Sequence, residues 1–90
     1  MLVKKGDKLI KPVDKDMAEA WEVLLADEDY FVVGRVRAEL EENSGMYRLS
    51  TDFEFPQIYS NVESIGKLID YNFVPVKGFY VEGGELQCKF

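Results

Sequence analysis

Carboxylates are the side chains of this sequence that are numerous and clustered enough to do chemistry. The chain has 17 Asp and Glu residues, and hard cations such as Mg²⁺ and Ca²⁺ take several oxygen ligands of this kind. Two clusters could gather such an ion, but neither has the ordered spacing of an EF-hand loop. We therefore expect no metal and no cofactor, and we predict instead that these acids bind a partner protein. The predicted binding residues are Asp27, Glu28, Asp29, Glu39, Glu41 and Glu42.

Other catalytic groups are scarce in the sequence. Histidine, the most common general acid or base, is absent, and Cys88 is the single cysteine. Cys88 has Gln87 and Lys89 beside it, so the sequence offers it no neighbouring base, and we expect a small core residue instead. The glycine pair of "VEGGEL" precedes a predicted strand, whereas a phosphate-binding loop precedes a helix. We therefore predict that the protein is not an enzyme.

The charge distribution limits the kinds of partner. The formal net charge is -6, and residues 16–64 hold twelve acids against three arginines. Such a surface repels phosphate backbones, so we expect no direct nucleic-acid binding and a protein partner with a basic surface. No apolar run reaches the roughly 18 residues of a membrane span, and the first residues lack signal-peptide features. We expect a cytoplasmic protein with no membrane contact.

Two helices are predicted from apolar spacing and capping signals. The first covers 14–27, where Asp16 and Glu19 have capping-box spacing and an apolar stripe follows. The second lies within "YSNVESIGKLID", 59–70, where Ser60 and Glu63 repeat that spacing. Pro56 is predicted to end the strand before it.

The remaining segments alternate as strands do. They give the order βαββαβ with a further terminal strand, in which Gly83 and Gly84 form a two-residue hairpin turn. This order predicts one α+β domain over 1–90, a two-layer sandwich with a ferredoxin-like antiparallel sheet and both helices on one face. Residues 35–42 also fit a helix, and in that case this fold prediction fails.

The stretch Gly34–Phe55 is predicted to be a hairpin whose charges pair across its strands. If Leu40 and Leu49 share a face, then the sequence numbers of any two residues that lie opposite each other across the hairpin must add to an odd number. A two-residue loop places Arg37 opposite Asp52, and we prefer it slightly. A four-residue loop is the alternative and places Arg35 opposite Asp52. In both, the strand face with Phe53 is predicted to be buried.

These features favour a small acidic module that binds and regulates another protein. Inhibitors, immunity proteins, antitoxins and phage-encoded antagonists have this character, and some imitate nucleic acid with carboxylates. The alternative is a ligand-sensing or regulatory ferredoxin-like domain that acts as a homodimer, a hypothesis based on fold analogy.

Overall fold

Two antiparallel sheets make up the structure, a computed structural model that describes residues 3–61, 68 and 71–90. The larger sheet has five strands in the order β4-β3-β2-β1-β5, and β6 pairs with β7 in a separate hairpin. Every paired neighbour runs antiparallel. The strands are β1 (Lys8–Pro12), β2 (Ala18–Ala26), β3 (Tyr30–Leu40), β4 (Tyr47–Ser60), β5 (Val74–Val76), β6 (Gly78–Glu82) and β7 (Glu85–Lys89).

The predicted α+β, ferredoxin-like fold is therefore wrong, because the described residues form two antiparallel sheets and Leu68 alone among them is helical. The first predicted helix, 14–27, is instead strand β2 and the turn before it. Of the second, 59–70, Tyr59 and Ser60 lie in β4, while residues 62–67, 69 and 70 lie outside the described part of the chain. Leu68 is buried, and its carbonyl accepts a hydrogen bond of 2.8 Å from the N–H of Phe73.

Strand β2 resembles a helix in sequence because it is covered on both faces. Strand β2 pairs with β1 along one edge and with β3 along the other. Trp21 and Val23 are buried on one of its faces, and Ala20 is buried on the other. A strand that is buried on both faces loses the alternation of apolar and polar residues. Its nearly continuous apolar run then also fits a helical stripe.

Asp14, at the predicted start of the first helix, instead stabilises a turn. The Asp14 carboxylate accepts hydrogen bonds from the N–H groups of Asp16 and Met17, at 2.8 and 2.9 Å. The carbonyl of Met17 accepts the N–H of Val13, which closes the connection between β1 and β2. An aspartate side chain that accepts a hydrogen bond from the backbone N–H two or three residues ahead is found both at helix N-caps and in Asx turns. An aspartate at such a position in the sequence therefore does not distinguish a helix start from a turn.

The hairpin of β3 and β4 adopts the four-residue loop, the alternative register. Arg35 lies opposite Asp52 and Glu39 opposite Arg48. The loop closes where the N–H of Glu41 donates to the carbonyl of Met46 at 2.8 Å. The predicted hairpin is confirmed, and the slight preference for a two-residue loop was wrong. Its charges pair across the strands only in part, because Arg48 approaches Glu39 and Glu41 whereas Arg35 approaches Glu19 of β2.

The main core lies on one side of the large sheet, called here the first face. It includes Trp21 and Val23 of β2 and Phe31 and Val33 of β3. Leu9, Leu68 and Phe73 add to it, and Tyr59 and Tyr71 pack against its border. Phe31 and Val33 are buried on this face although they share it with the exposed Arg35 and Arg37, so alternation along β3 does not by itself identify the buried face.

The opposite side of the sheet, the second face, is covered in part by the hairpin of β6 and β7. Ala20 and Val36 are buried there, and Gly84 in the hairpin turn lies against the ring of Tyr47. Phe79 lies opposite Cys88, and Val81 opposite Leu86, as the two-residue turn at Gly83 and Gly84 predicts. Both glycines have positive φ, which this turn type requires.

Strand β4 is irregular in its middle and does not end at Pro56 as predicted. Residues 53–56 intervene between Asp52, opposite Arg35, and Gln57, opposite Val33, so that several residues of β4 face Gly34 alone. This bulge carries Phe53 and Phe55 outward, and they are 70% and 77% exposed. The prediction that both are buried was wrong, because the bulge breaks the period of two on which it depended.

Candidate functional site at the turn between strands β2 and β3

The six predicted binding acids lie at two separate places. Asp27, Glu28 and Asp29 form the turn before β3, whereas Glu39 is the next-to-last residue of that strand and Glu41 and Glu42 follow it. Strand β3 has 11 residues, so the two groups are separated by about 35 Å. They do not form one acidic surface.

The acids after β3 are largely balanced by arginines. Arg37 and Arg48 approach the Glu39 carboxylate at 3.4 and 3.5 Å, and Arg48 approaches Glu41 at 3.8 Å. The hydroxyl of Ser44 also donates to Glu41. These exposed pairs contribute little to stability, but they reduce the negative charge that this end presents to a partner.

Asp27 in the other group has a structural role. Its carboxylate accepts hydrogen bonds from the N–H groups of Asp29 and Tyr30, both at 2.8 Å. Its own N–H donates to the carbonyl of Tyr30 at 2.9 Å. The two bonds to the carboxylate, first that from Tyr30 and then that from Asp29, lower the pKa of Asp27. Asp27 therefore shapes the turn that presents Glu28 and Asp29 to solvent.

Asn61 fixes this turn to the body of the protein. It is the buried polar residue among those described, at 2% exposure. Its amide nitrogen donates to the carbonyls of Asp27, at 2.8 Å, and Val3, at 3.1 Å, and its side-chain oxygen accepts the N–H of Val3. Its backbone N–H donates to the carbonyl of Asp29. The acidic turn is thus held at both ends by one side chain and its backbone.

Beside the turn, exposed apolar side chains lie in a row across three strands. Leu25 and Ile58 both pair with Val32, from opposite sides, so the three share the second face. Leu25, Tyr30 and Ile58 are 62%, 59% and 68% exposed. Leu25, Tyr30 and Val32 also line a shallow pocket of about 300 Å³ that includes Asp27. We call Leu25, Asp27, Glu28, Asp29, Tyr30 and Ile58 the turn patch.

The sequence pattern identifies the acids of the turn patch but not its apolar members. Leu25 belongs to the apolar stripe of the helix predicted over 14–27, and nothing in the sequence marks Ile58 as buried or exposed. No local signal identifies either residue as exposed, because exposure here depends on where the β6–β7 hairpin ends its cover of the second face.

A larger pocket lies between the two sheets. Its volume is about 560 Å³, and its lining is mixed, with Ile10, Phe79 and Leu86 as apolar members and Asp16 and Glu85 as acids. Cys88 also lines it and is half-buried. Apolar walls with a few polar groups are typical of small-molecule sites.

A third pocket lies on the first face beside Trp21, whose indole N–H is buried and has no acceptor among the residues that the structure describes. It measures about 220 Å³. Lys11 and Arg35 line it together with Glu19 and Asp52, so its formal charges cancel. This balance gives the pocket no net charge with which to select an ion.

Within the described ranges, no three Asp, Glu or Cys side chains are arranged to hold a metal ion. No helix in that same part of the chain is long and apolar enough to cross a membrane. Comparisons with protein-family models, with curated proteins and with solved structures found no match to this chain.

Proposed function

We propose that this chain is a non-enzymatic protein-binding module that inhibits or regulates a partner with a basic surface, and that it binds through the turn patch. The observation that carries the proposal is the row of exposed apolar side chains beside Glu28 and Asp29. Apolar anchors surrounded by a polar rim are typical of protein interfaces.

The chemistry of the partner follows from the two halves of the patch. Leu25, Tyr30 and Ile58 require an apolar depression that removes them from water. Glu28 and Asp29 are exposed, and no hydrogen bond or ion pair within the described ranges involves either side chain. They are therefore available to Lys or Arg at the rim of that depression, where opposite charges accelerate association and select the partner.

An inhibitor, an immunity- or antitoxin-like protein or a phage-encoded antagonist fits this description best. Imitation of nucleic acid receives less support, because Glu39 and Glu41 lie beside arginines and far from the turn patch. The proposed location is the cytoplasm, which is consistent with the single free thiol of Cys88.

The test is affinity capture from a lysate of the source cells, with variants of the turn patch. We expect Ile58→Ser, and separately the pair Glu28→Lys and Asp29→Lys, to reduce recovery of the partner by tenfold or more, about 1.4 kcal/mol. Val13→Ser is the matched control, because Val13 is 59% exposed but lies in the turn between β1 and β2. Equal recovery with all four proteins would reject the turn patch as the binding site.

A second candidate function is binding of a small molecule in the pocket between the sheets. It is favoured by the pocket volume of about 560 Å³ and by the presence of Cys88 in the lining. This candidate corresponds to the ligand-sensing alternative from the sequence, but it does not depend on a ferredoxin-like fold. A ligand in this pocket should slow modification of the Cys88 thiol and raise the melting temperature. A screen of metabolites that yields neither effect would count against this candidate.

A further inference from the structure

Strand β4 forms one edge of the large sheet and has 14 residues. Among the described residues it pairs with β3 alone. A long exposed edge presents unpaired backbone N–H and C=O groups to any strand that can add to it. The opposite edge, β5, has only three residues and contains Pro75, so it offers a much poorer template.

The backbone groups that point outward can be assigned from the register. The N–H of Glu41 donates to the carbonyl of Met46, so this pair is hydrogen-bonded. Such pairs alternate along an antiparallel ladder. Residues 48, 50 and 52 therefore bond toward β3, and Tyr47, Leu49 and Thr51 direct their backbone groups outward.

We propose that two copies of this chain join through β4, antiparallel, with the two-fold axis at Ser50. In this register Thr51 lies opposite Leu49 of the second copy, and their outward backbone groups pair. Arg48 of each copy lies opposite Asp52 of the other, on the first face. The two five-stranded sheets then form one continuous sheet of ten strands.

Charge complementarity selects this register over its neighbours. An axis at Arg48 would place the two Arg48 side chains opposite each other, which is unfavourable. An axis at Leu49 would place Arg48 opposite Ser50 and Asp52 opposite Met46, without ion pairs. An axis at Thr51 would place Arg48 opposite Glu54, inside the bulge where the regular ladder has ended. Only the axis at Ser50 forms two ion pairs between regular segments.

The side chains at this edge are accessible to a second copy, although Arg48 approaches two glutamates of its own chain and Asp52 accepts the N–H of Glu54. Arg48 is 61% exposed in its side chain, and its present carboxylate partners lie no closer than 3.5 Å. Asp52 forms no ion pair within the described part of the chain. Tyr47 and Leu49 are also exposed, and a second strand would cover part of their apolar surface.

The bulge defines where the interface ends. Beyond Asp52 the strand leaves the regular ladder, and Pro56 has no N–H with which to pair. Strand addition is therefore confined to about five residues, 48–52. The turn patch lies past the bulge and stays outside the interface.

Disulfide trapping tests the axis directly. Residues 50 of the two copies form a non-hydrogen-bonded pair, for which the Cα separation is about 4.5 Å and a disulfide can close. In a Cys88→Ser background we expect Ser50→Cys to give a covalent dimer on mild oxidation. Gln57→Cys, exposed and on the same face as Ser50, is the control and should stay monomeric. No dimer from Ser50→Cys, or equal trapping of both variants, would overturn the proposal.

A charge exchange tests the same register without a covalent bond. Sedimentation should show a concentration-dependent dimer for the unmodified chain. The single variants Arg48→Asp and Asp52→Arg should each raise the Kd of the dimer about tenfold or more, and the double variant should return the Kd toward that of the unmodified chain. Thermal melting identifies any variant that loses its fold. A chain that stays monomeric at every concentration, or a double variant no tighter than the single ones, would contradict the inference.

Discussion

At the scale of residues, side chains that suggested binding or capping prove to shape turns. Asp14 and Asp27 each accept two backbone N–H groups just ahead of them in the chain. Asn61 joins one of these turns to the first residues described. Reversing the charge of Asp27 together with Glu28 and Asp29 would therefore confound binding with folding, and Glu28 and Asp29 are the residues with which to test binding.

Asp27 should make stability depend on pH in the acid range. Its folded-state pKa is lowered, so its contribution is complete above its ordinary value of 3.8 and is lost as the pH falls through the lower folded value. We expect Asp27→Ala to lower the melting temperature at neutral pH. Asp27→Asn keeps an acceptor for both N–H groups and should melt closer to the unmodified protein.

Melting curves at several pH values measure this effect. The difference between the unmodified protein and Asp27→Ala should be largest near neutrality and shrink in acid. A difference that stays constant down to the lowest pH would show that the carboxylate charge does not stabilise the turn.

At the scale of elements, the bulge of β4 accounts for several features at once. It lies opposite Gly34, where an added Cβ would come within 2.6 Å of a Thr51 methyl group and 2.9 Å of the Asp52 carbonyl oxygen. The backbone of β4 thus lies close to Gly34, and the displaced residues turn Phe53 and Phe55 outward. The same bulge ends the regular edge on which the proposed dimer depends.

Gly34→Ala should therefore be destabilising. The contact with a backbone oxygen cannot be relieved by a side-chain rotation, and we expect a loss of about 1–3 kcal/mol, the usual range for overpacking. Gly78→Ala is the control, because nothing lies within 4 Å of its added Cβ. Denaturant unfolding measures both variants. Equal stability of the two would show that β4 can move away from β3 at little cost.

At the scale of the whole molecule, the chain offers two interaction surfaces on one strand. The turn patch uses Ile58 near the end of β4, and the proposed dimer uses residues 48–52 near its beginning. The bulge between them separates the surfaces, so a dimer would present two turn patches. Two linked sites can raise avidity toward a partner that has two matching sites.

The two surfaces should be separable by mutation. We expect Ile58→Ser to lose the partner and keep the dimer, and Arg48→Asp to lose the dimer and keep binding to a single partner site. Sedimentation and affinity capture on both variants measure this. Loss of both properties in either variant would mean that the surfaces are coupled through β4.

Features that depend only on neighbouring residues could be predicted from the sequence. The Gly83–Gly84 hairpin, the end of β1 at Pro12 and the opposite charges across β3 and β4 were all predictable. Each depends on local backbone geometry or on a simple parity of paired strands. The acidic turn at 27–29 was also visible, although its partner-binding role remains a prediction.

The choice between helix and strand for 18–26, and the choice of the buried face of β3, depend on tertiary contacts. The apolar residues of the run "AWEVLLA" fit both the helical period and a strand that is buried on both faces. The run forms a strand because β1 and β3 pair with its edges and the β6–β7 hairpin covers part of one face. Likewise, Leu25 and Ile58 are exposed because that cover ends before it reaches them. Burial is a property of the assembled sheets, so no local pattern of residues could specify it.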